Sequence, residues 1–191
     1  MNFNLDGNLG LCGAHRTGKT TLAIALSSHL NMPFVRTTTS QVFAKLGLDP
    51  AETMDFTTRL YVQNHVLEAA EQIWQSSASP FISDRTPIDM IAYTLGDIQG
   101  KTEVDFDLLN QYIDRCFTST NQFFQNLAII QPGIPLIYEQ GKAALNAAYI
   151  EHINVLVTGL CRDSRLKADV FCNPREAIAI DLRISNILRS K

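Results

Sequence analysis

Short apolar segments alternate with longer amphipathic segments along most of the chain. Runs of β-prone residues predict strands, whereas apolar residues spaced three and four apart predict helices. We expect strands at residues 8–12, 33–37, 80–84, 126–132 and 167–173. We expect helices at 18–30, 41–47, 51–77, from 86 onward, from 104 onward, at 142–160 and at 174–188. Strands that alternate with helices are typical of an α/β fold, so the pattern predicts a doubly wound, mainly parallel sheet.

Helix breakers and caps support several of these boundaries. Asn31 and Pro33 end the first predicted helix, and Gly47 ends the second. Pro87 stands at a favoured first-turn position of the helix that follows the third strand. An apolar stripe predicts the buried face of the long helix and comprises Leu60, Val62, Val66, Leu67, Ala70, Ile73 and Trp74.

The composition narrows the class of protein. The chain has 191 residues, 46% of them hydrophobic and 18% charged, as is typical of a globular domain. A net charge of −3 argues against strong nonspecific DNA binding. No apolar run reaches the ~18 residues of a membrane span, and the N-terminus lacks the regions of a signal peptide. Four widely spaced cysteines favour reduced thiols over zinc ligands or disulfides, so we expect a cytoplasmic protein.

A phosphate-binding loop is predicted between the first strand and the first helix. Residues 13–20, GAHRTGKT, match the pattern GxxxxGK[ST]. Glycines let backbone N–H groups surround a phosphate, and the helix N-terminus adds partial positive charge. We therefore expect ATP phosphates to contact Gly13, Ala14, His15, Arg16, Thr17, Gly18, Lys19, Thr20 and Thr21.

Two side chains of this loop have distinct expected roles. Lys19 supplies a full positive charge to the β- and γ-phosphates, and the Thr20 hydroxyl suits the Mg²⁺ shell. The alternative is a chance match in a turn that precedes a core helix.

A second motif, PFISDRTPIDMIAY, spans residues 80–93. Its strand ends in Asp84, at the carboxyl edge of the sheet, where α/β folds bind their ligands. Asp84 is suited to bind Mg²⁺ or to accept a proton, and Arg85 to bind phosphate with both arms of its guanidinium. The alternative is that Asp84 caps the next helix and Arg85 pairs with a surface acid.

Polar residues on the second strand and the long helix indicate an acceptor site. Arg36 and Thr38 close the second strand, while Arg59 and Gln63 share a helix face with Asp55. The arginines suit a phosphate, and the Gln63 amide presents both a donor and an acceptor to a base edge. The alternatives are a helix cap with a surface arginine, and a solvated face with an Asp55–Arg59 pair.

The segments GAHRTGKTTLA and ISDRTPIDMIAYT resemble those of P-loop nucleoside and nucleotide kinases. Within that group the pair is similar to the thymidylate kinase and nicotinamide-riboside-kinase-like branch, whose neighbourhood includes phage deoxynucleotide kinases. The resemblance implies sheet order 2-3-1-4-5 in one domain over residues 1–191. It also implies an acceptor site within residues 36–77 and a mobile lid at about 133–165.

The resemblance further implies the residues that carry the chemistry. Lys19, Asp84 and Arg85 take the catalytic roles, with Asp84 as base or metal ligand and Arg85 on the acceptor phosphate. Thr20 and Asp84 bind Mg²⁺ beside ATP. The lid departs from the kinase pattern, since Lys142 stands where many nucleotide kinases carry several arginines. Arg162 and Arg165 come a helix later, so Lys142 or another arginine is expected to serve the transferring phosphoryl group.

These features favour ATP-dependent phosphoryl transfer to a nucleoside monophosphate, first of all a deoxynucleotide. A nucleoside, or a hydroxymethylated base within DNA, is the alternative acceptor. An ATPase or switch acting through a protein partner is the alternative activity. The chain is short for an AAA-type lid domain, and it has no NKxD motif of GTPases. The sequence does not decide whether the protein forms a homodimer. Nor does it decide between a cellular source and a virus, in which case the protein would act in the host cytoplasm.

Overall fold

A single parallel sheet organises the computed structural model, which describes residues 6–37, 39–49, 54–137 and 146–189. The strands are β1 (Leu9–Cys12), β2 (Phe34–Val35), β3 (Ile82–Ser83), β4 (Asn126–Ile130) and β5 (Asp169–Asn173). Their order is β2-β3-β1-β4-β5, and every pairing is parallel. The predicted fold class and strand order are confirmed.

Helices cover both faces of this sheet. They are α1 (Lys19–Leu30), α2 (Thr39–Leu46), α3 (Phe56–Ser76), α4 (Pro87–Gly96), α5 (Phe106–Phe123), α6 (Ala147–Leu160) and α7 (Ile180–Arg189). In the part of the chain that the structure describes, none of them is long and apolar enough to cross a membrane. All four cysteines are free thiols.

Alternate residues of the central strands build two separate cores. Leu127 and Ile129 of β4 pack with residues of α3 to α6. Ala128 and Ile130 pack on the opposite face with α1 and α7. Because side chains alternate along a strand, a strand buried on both sides is apolar on both faces, as β4 is after Asn126. The faces are thus filled by helices, and the carboxyl edge is left for the connecting loops.

The apolar stripe predicted on α3 belongs to the larger core. Its members are buried, apart from Ile73, which is only partly covered. Trp74 is 1% exposed, and its ring lies 5.1 Å from Phe124 and 5.6 Å from Phe123. Its indole N–H donates to the Ser83 hydroxyl at 3.3 Å, which ties α3 to the end of β3.

Three predicted helix starts are corrected. The long helix α3 begins at Phe56 and not at residue 51, with Asp55 as its N-cap residue. The last helix begins at Ile180 and not at residue 174, because residues 174–178 form turns. There the Ala177 carbonyl accepts from the Arg183 guanidinium at 2.6 Å, a tertiary contact that local sequence does not reveal. The sixth helix begins at Ala147, after Asn146 caps it by accepting from the Tyr149 N–H. Residues 142–145, which we assigned to that helix, lie outside the described residues.

Replacing Trp74 by alanine tests the larger core. We expect Trp74→Ala to lower the free energy of unfolding by about 3–5 kcal/mol, because it leaves a cavity among Phe123, Phe124 and the sheet. Tyr61→Ala is the matched control on the same helix, since Tyr61 is 56% exposed, and should cost less than about 1 kcal/mol. Denaturant titration measures both, and equal losses would contradict this assignment of the core.

Candidate active site

The loop between β1 and α1 adopts a conformation that depends on its glycines. Gly13 has φ +146° and Gly18 has φ +81°, values that side chains rarely tolerate. A Cβ atom on Gly13 would lie 2.5 Å from the Ile130 carbonyl oxygen of the neighbouring strand. Arg16 also has a positive φ, +62°. The loop is therefore fixed both by its own turns and by its contact with β4.

The first turn of α1 is open to an anion. Gly18 is the N-cap residue, no side chain of the described residues caps it, and the first turn carries no acid. The first N–H groups of a helix lack partners within the helix and carry partial positive charge. This helix end thus presents the donors that the sequence motif predicts.

Lys19 lies across the loop. Its ammonium donates to the Gly13 carbonyl at 2.5 Å and to the Ala14 carbonyl at 2.8 Å. Burial lowers the pKa of Lys19 from its ordinary value, while the negative charge of Asp89 acts in the opposite direction. The amine is therefore held at the mouth of the loop by weak neutral acceptors, which a phosphate oxygen can replace.

Thr20 and Asp84 meet at the carboxyl edge of the sheet. The Thr20 hydroxyl donates to Asp84 Oδ2 at 2.5 Å. Both groups are hard oxygen ligands beside a phosphate loop, so together they fit Mg²⁺. Asp84 does not cap α4, because Thr86 does so through a capping box with Asp89. The capping alternative for Asp84 is therefore wrong.

Asp89 is a buried residue of the site that sequence reasoning missed. Its carboxylate is 3% exposed and accepts from the Gly13 N–H at 2.7 Å. The other oxygen accepts from the N–H and the hydroxyl of Thr86 at 2.8 and 2.9 Å. Burial raises the pKa of Asp89, and the attraction of Lys19 lowers it. The spacing Thr-x-x-Asp, a capping-box signature, was the available signal.

A cleft of about 300 Å³ opens above the phosphate loop. Four cationic side chains line it, namely Arg16, Lys19, Arg36 and Arg85, together with the carboxylates of Asp84 and Asp89. This concentration of positive charge is what a polyphosphate requires. The cleft thus brings Arg36 and Arg85, predicted on the acceptor side, next to the predicted donor loop.

A second cavity of about 370 Å³ lies between α3, α4 and α6. Arg59 and Gln63 line it, as the face predicted on α3 requires. Arg59 pairs with Asp97 at 3.0 Å and not with Asp55, whose carboxylate caps α3 by accepting from the Thr58 N–H. Burial raises the pKa of Asp97, against the effect of Arg59.

The two cavities meet at shared walls. Arg85, Asp89 and Tyr93 line both of them. The Arg85 guanidinium donates to the Thr39 hydroxyl at the start of α2. The Tyr93 hydroxyl accepts from the His15 N–H at 2.7 Å, so His15 also borders the second cavity. The two cavities therefore adjoin each other at Arg85.

Two arginines predicted for the lid lie elsewhere. Arg165 pairs with Asp114 at 2.7 Å and stacks on Phe117, 4.3 Å from the ring centre. Arg162 is exposed and, like Arg165, lines neither cavity. Both follow the end of α6 that points away from the cleft, since it is the first turn of α6 that lines the second cavity. Thr38 and Lys142 lie outside the described residues.

Arg183 of α7 is a further buried side chain at the loop. Its guanidinium donates to the Thr17 carbonyl at 2.7 Å and to the Ala177 carbonyl at 2.6 Å. Nothing in the amphipathic pattern of the last helix distinguished this arginine from a surface residue.

Comparisons with known proteins bear on this geometry. A family profile described as an AAA domain (AAA_28) matches residues 9–124, more than half of the chain. That span runs from β1 to the end of α5 and includes the phosphate loop, Asp84 and Arg85. No curated protein sequence matches the chain.

Solved structures with kinase folds superpose on nearly the whole chain. A deoxyadenosine kinase from M. mycoides matches with a TM-score of 0.66 and 15% identity, over 95% of this chain and 96% of that one. A thymidylate kinase from Ehrlichia chaffeensis matches with a TM-score of 0.63 and 15% identity, over 96% and 97%. A NadR protein in complex with NR matches with a TM-score of 0.62 and 17% identity, over 94% of this chain and 51% of that one. The chain therefore belongs to the AAA domain family, and its fold is that of the P-loop nucleoside and nucleotide kinases.

Proposed function

We propose that the chain is a nucleotide kinase that transfers the γ-phosphoryl group of ATP to a nucleoside monophosphate. The observation that carries this proposal is the pair of adjoining cavities, which share Arg85, Asp89 and Tyr93. A hydrolase needs one nucleotide site and a water, whereas a transferase needs two substrate sites that face each other.

The donor side consists of the phosphate loop and the residues beside it. When bound there, ATP with Mg²⁺ supplies the phosphoryl group and an ADP leaving group. Lys19 and the N–H groups that begin α1 hold the phosphate chain, and Thr20 and Asp84 hold the metal. We assign to Arg16, which lines the cleft, and to Lys142 the neutralisation of charge on the transferring group.

On the acceptor side, different residues bind the phosphate and the base. Arg36 and Arg85 bind the acceptor phosphate near the start of α2. The Thr37 hydroxyl oxygen lines the same cleft, and it is buried with no partner among the described residues, so a ligand oxygen would satisfy it. Arg59 and Gln63 contact the base at the far end of the second cavity.

The carboxylates of the site favour a monophosphate over a nucleoside. Of the described residues, Asp84, Asp89 and Asp97 are the acids that line the two cavities. Asp84 accepts from Thr20, Asp89 accepts three hydrogen bonds, and Asp97 pairs with Arg59. A nucleoside hydroxyl needs a base to take its proton, whereas a phosphate monoester is largely ionised at neutral pH, with a second pKa of about 6.

An acceptor survey tests the proposed function. ADP release from ATP and Mg²⁺ is measured with each common ribo- and deoxynucleoside, and each of their monophosphates, added in turn. We expect strong stimulation by one monophosphate and a diphosphate product detected by mass spectrometry. ADP release that no acceptor stimulates would instead support an ATPase or a switch, an activity with which the AAA domain match is also compatible.

Lys19→Ala tests the phosphate loop. We expect at least a ~100-fold loss of kcat/KM, because the variant lacks the cation that faces the transferring group. The fold should persist, as judged by circular dichroism and thermal unfolding. Lys45→Ala is the control, since Lys45 is exposed on α2. Normal turnover in Lys19→Ala would refute the assignment of the loop.

Arg36→Ala separates a phosphorylated acceptor from a nucleoside. We expect the KM for the monophosphate to rise about 10- to 100-fold, because the variant loses a hydrogen bond between two charged groups. The KM for ATP should stay nearly unchanged. Any residual activity on the nucleoside should stay as it is.

Arg59→Ala provides the contrast. Arg59 borders the cavity assigned to the base. Its loss should therefore raise the KM for the monophosphate and the KM for the nucleoside equally, and both more than the KM for ATP. Steady-state kinetics with each substrate varied measures the three constants. If Arg36→Ala raised the KM for the nucleoside as much as the KM for the monophosphate, the assignment of Arg36 to the acceptor phosphate would be wrong.

A further inference from the structure

The last helix carries a buried cation directly behind the phosphate loop. Arg183 is 3% exposed. Its Nε donates to the Ala177 carbonyl at 2.6 Å and its Nη1 to the Thr17 carbonyl at 2.7 Å. One guanidinium thus connects the loop after β1 with the turn after β5.

The charge of this guanidinium has no counterion in the part of the chain that the structure describes. Both of its partners are neutral carbonyls, and its Nη2 is buried without a hydrogen-bond partner. Burial lowers the pKa of Arg183, yet a guanidinium stays protonated at neutral pH. A buried charge without an opposite charge lowers stability, so a purely structural role is a poor explanation for it.

The position of the charge indicates what compensates it. Thr17, which accepts from Arg183, precedes Gly18, the N-cap residue of α1. A Cβ atom on Gly18 would lie 3.2 Å from Nη1 of Arg183. The guanidinium is therefore one residue layer behind the backbone to which we assign the donor phosphates. Electrostatic attraction at low dielectric acts across such a layer.

We propose that Arg183 is a positioning residue of the donor site, which holds the Thr17 and Ala177 carbonyls in place and attracts the polyphosphate of a nucleoside triphosphate. This inference rests on the proposed function only in requiring a phosphate chain at the loop. It predicts that replacing Arg183 lowers the affinity for the donor, and more so for donors with more phosphates. The affinity for the acceptor should not change.

Calorimetric titration tests the inference without relying on turnover. ATP, ADP and inorganic tripolyphosphate are titrated into the full chain and into Arg183→Gln and Arg183→Lys. We expect Arg183→Gln to weaken the binding of ATP and tripolyphosphate about tenfold and that of ADP less, since the attraction between charges several ångströms apart is on this scale. Arg183→Lys keeps the charge but only part of the fork, so it should restore most of the tripolyphosphate affinity.

The controls separate position from charge alone. Arg189→Gln removes the same charge from an exposed site on the same helix and should leave all three affinities unchanged. In kinetic assays Arg183→Gln should raise the KM for ATP and spare the KM for the acceptor. A structural role predicts instead a lower melting temperature with donor affinity intact.

Three results would overturn the inference. The first is wild-type affinity for ATP and tripolyphosphate in a folded Arg183→Gln variant. The second applies if that variant does not fold: a folded Arg183→Lys variant that loses about tenfold or more in tripolyphosphate affinity would show that the buried charge does not attract the phosphate chain. The third is a wild-type chain that binds neither compound. A chain that binds both but transfers to no acceptor would refute the proposed function and leave the role of Arg183 standing.

Discussion

A buried carboxylate joins the two sides of the cleft. Asp89 accepts from Gly13 of the phosphate loop with one oxygen and from Thr86 at the start of α4 with the other. These three hydrogen bonds tie the loop to the first turn of α4. Arg85 lies just before α4 and Tyr93 lies on it, and both line the wall between the two cavities. The hydrogen bonds of Asp89 therefore position this wall as well as the loop.

The sheet explains why these groups meet at all. β1 lies at the centre with β3 and β4 on either side, so the loop after β1 and Asp84 after β3 emerge side by side. The close approach of Gly13 to the Ile130 carbonyl fixes the height of the loop over β4. An acidic chain, of net charge −3, thereby carries a cationic cleft, because local placement and not total charge decides what binds.

Local patterns predicted the fold and the loop between β1 and α1 well, and for physical reasons. Strand and helix periodicity follows from which face is buried, so β4 and the α3 stripe were predictable from residue type alone. The loop of residues 13–20 is a local structure, and its sequence specifies it. The Arg59–Asp97 pair and the Arg183 contacts join distant segments, which spacing within one segment cannot reveal. The same reason explains the errors at Arg165 and at the start of α7, where a tertiary contact overrode the local preference.

The central claim is that donor and acceptor occupy one continuous cleft and face each other across Arg85. The most direct measurement is the affinity of compounds in which adenosine is joined through five phosphates to each common nucleoside. We predict that one of them binds one-to-one, about 100-fold or more tighter than ATP, and that it excludes both ATP and the monophosphate, because linked ligands gain from effective concentration. Compounds that all bind no more tightly than ATP, and leave the monophosphate free to bind, would contradict the account.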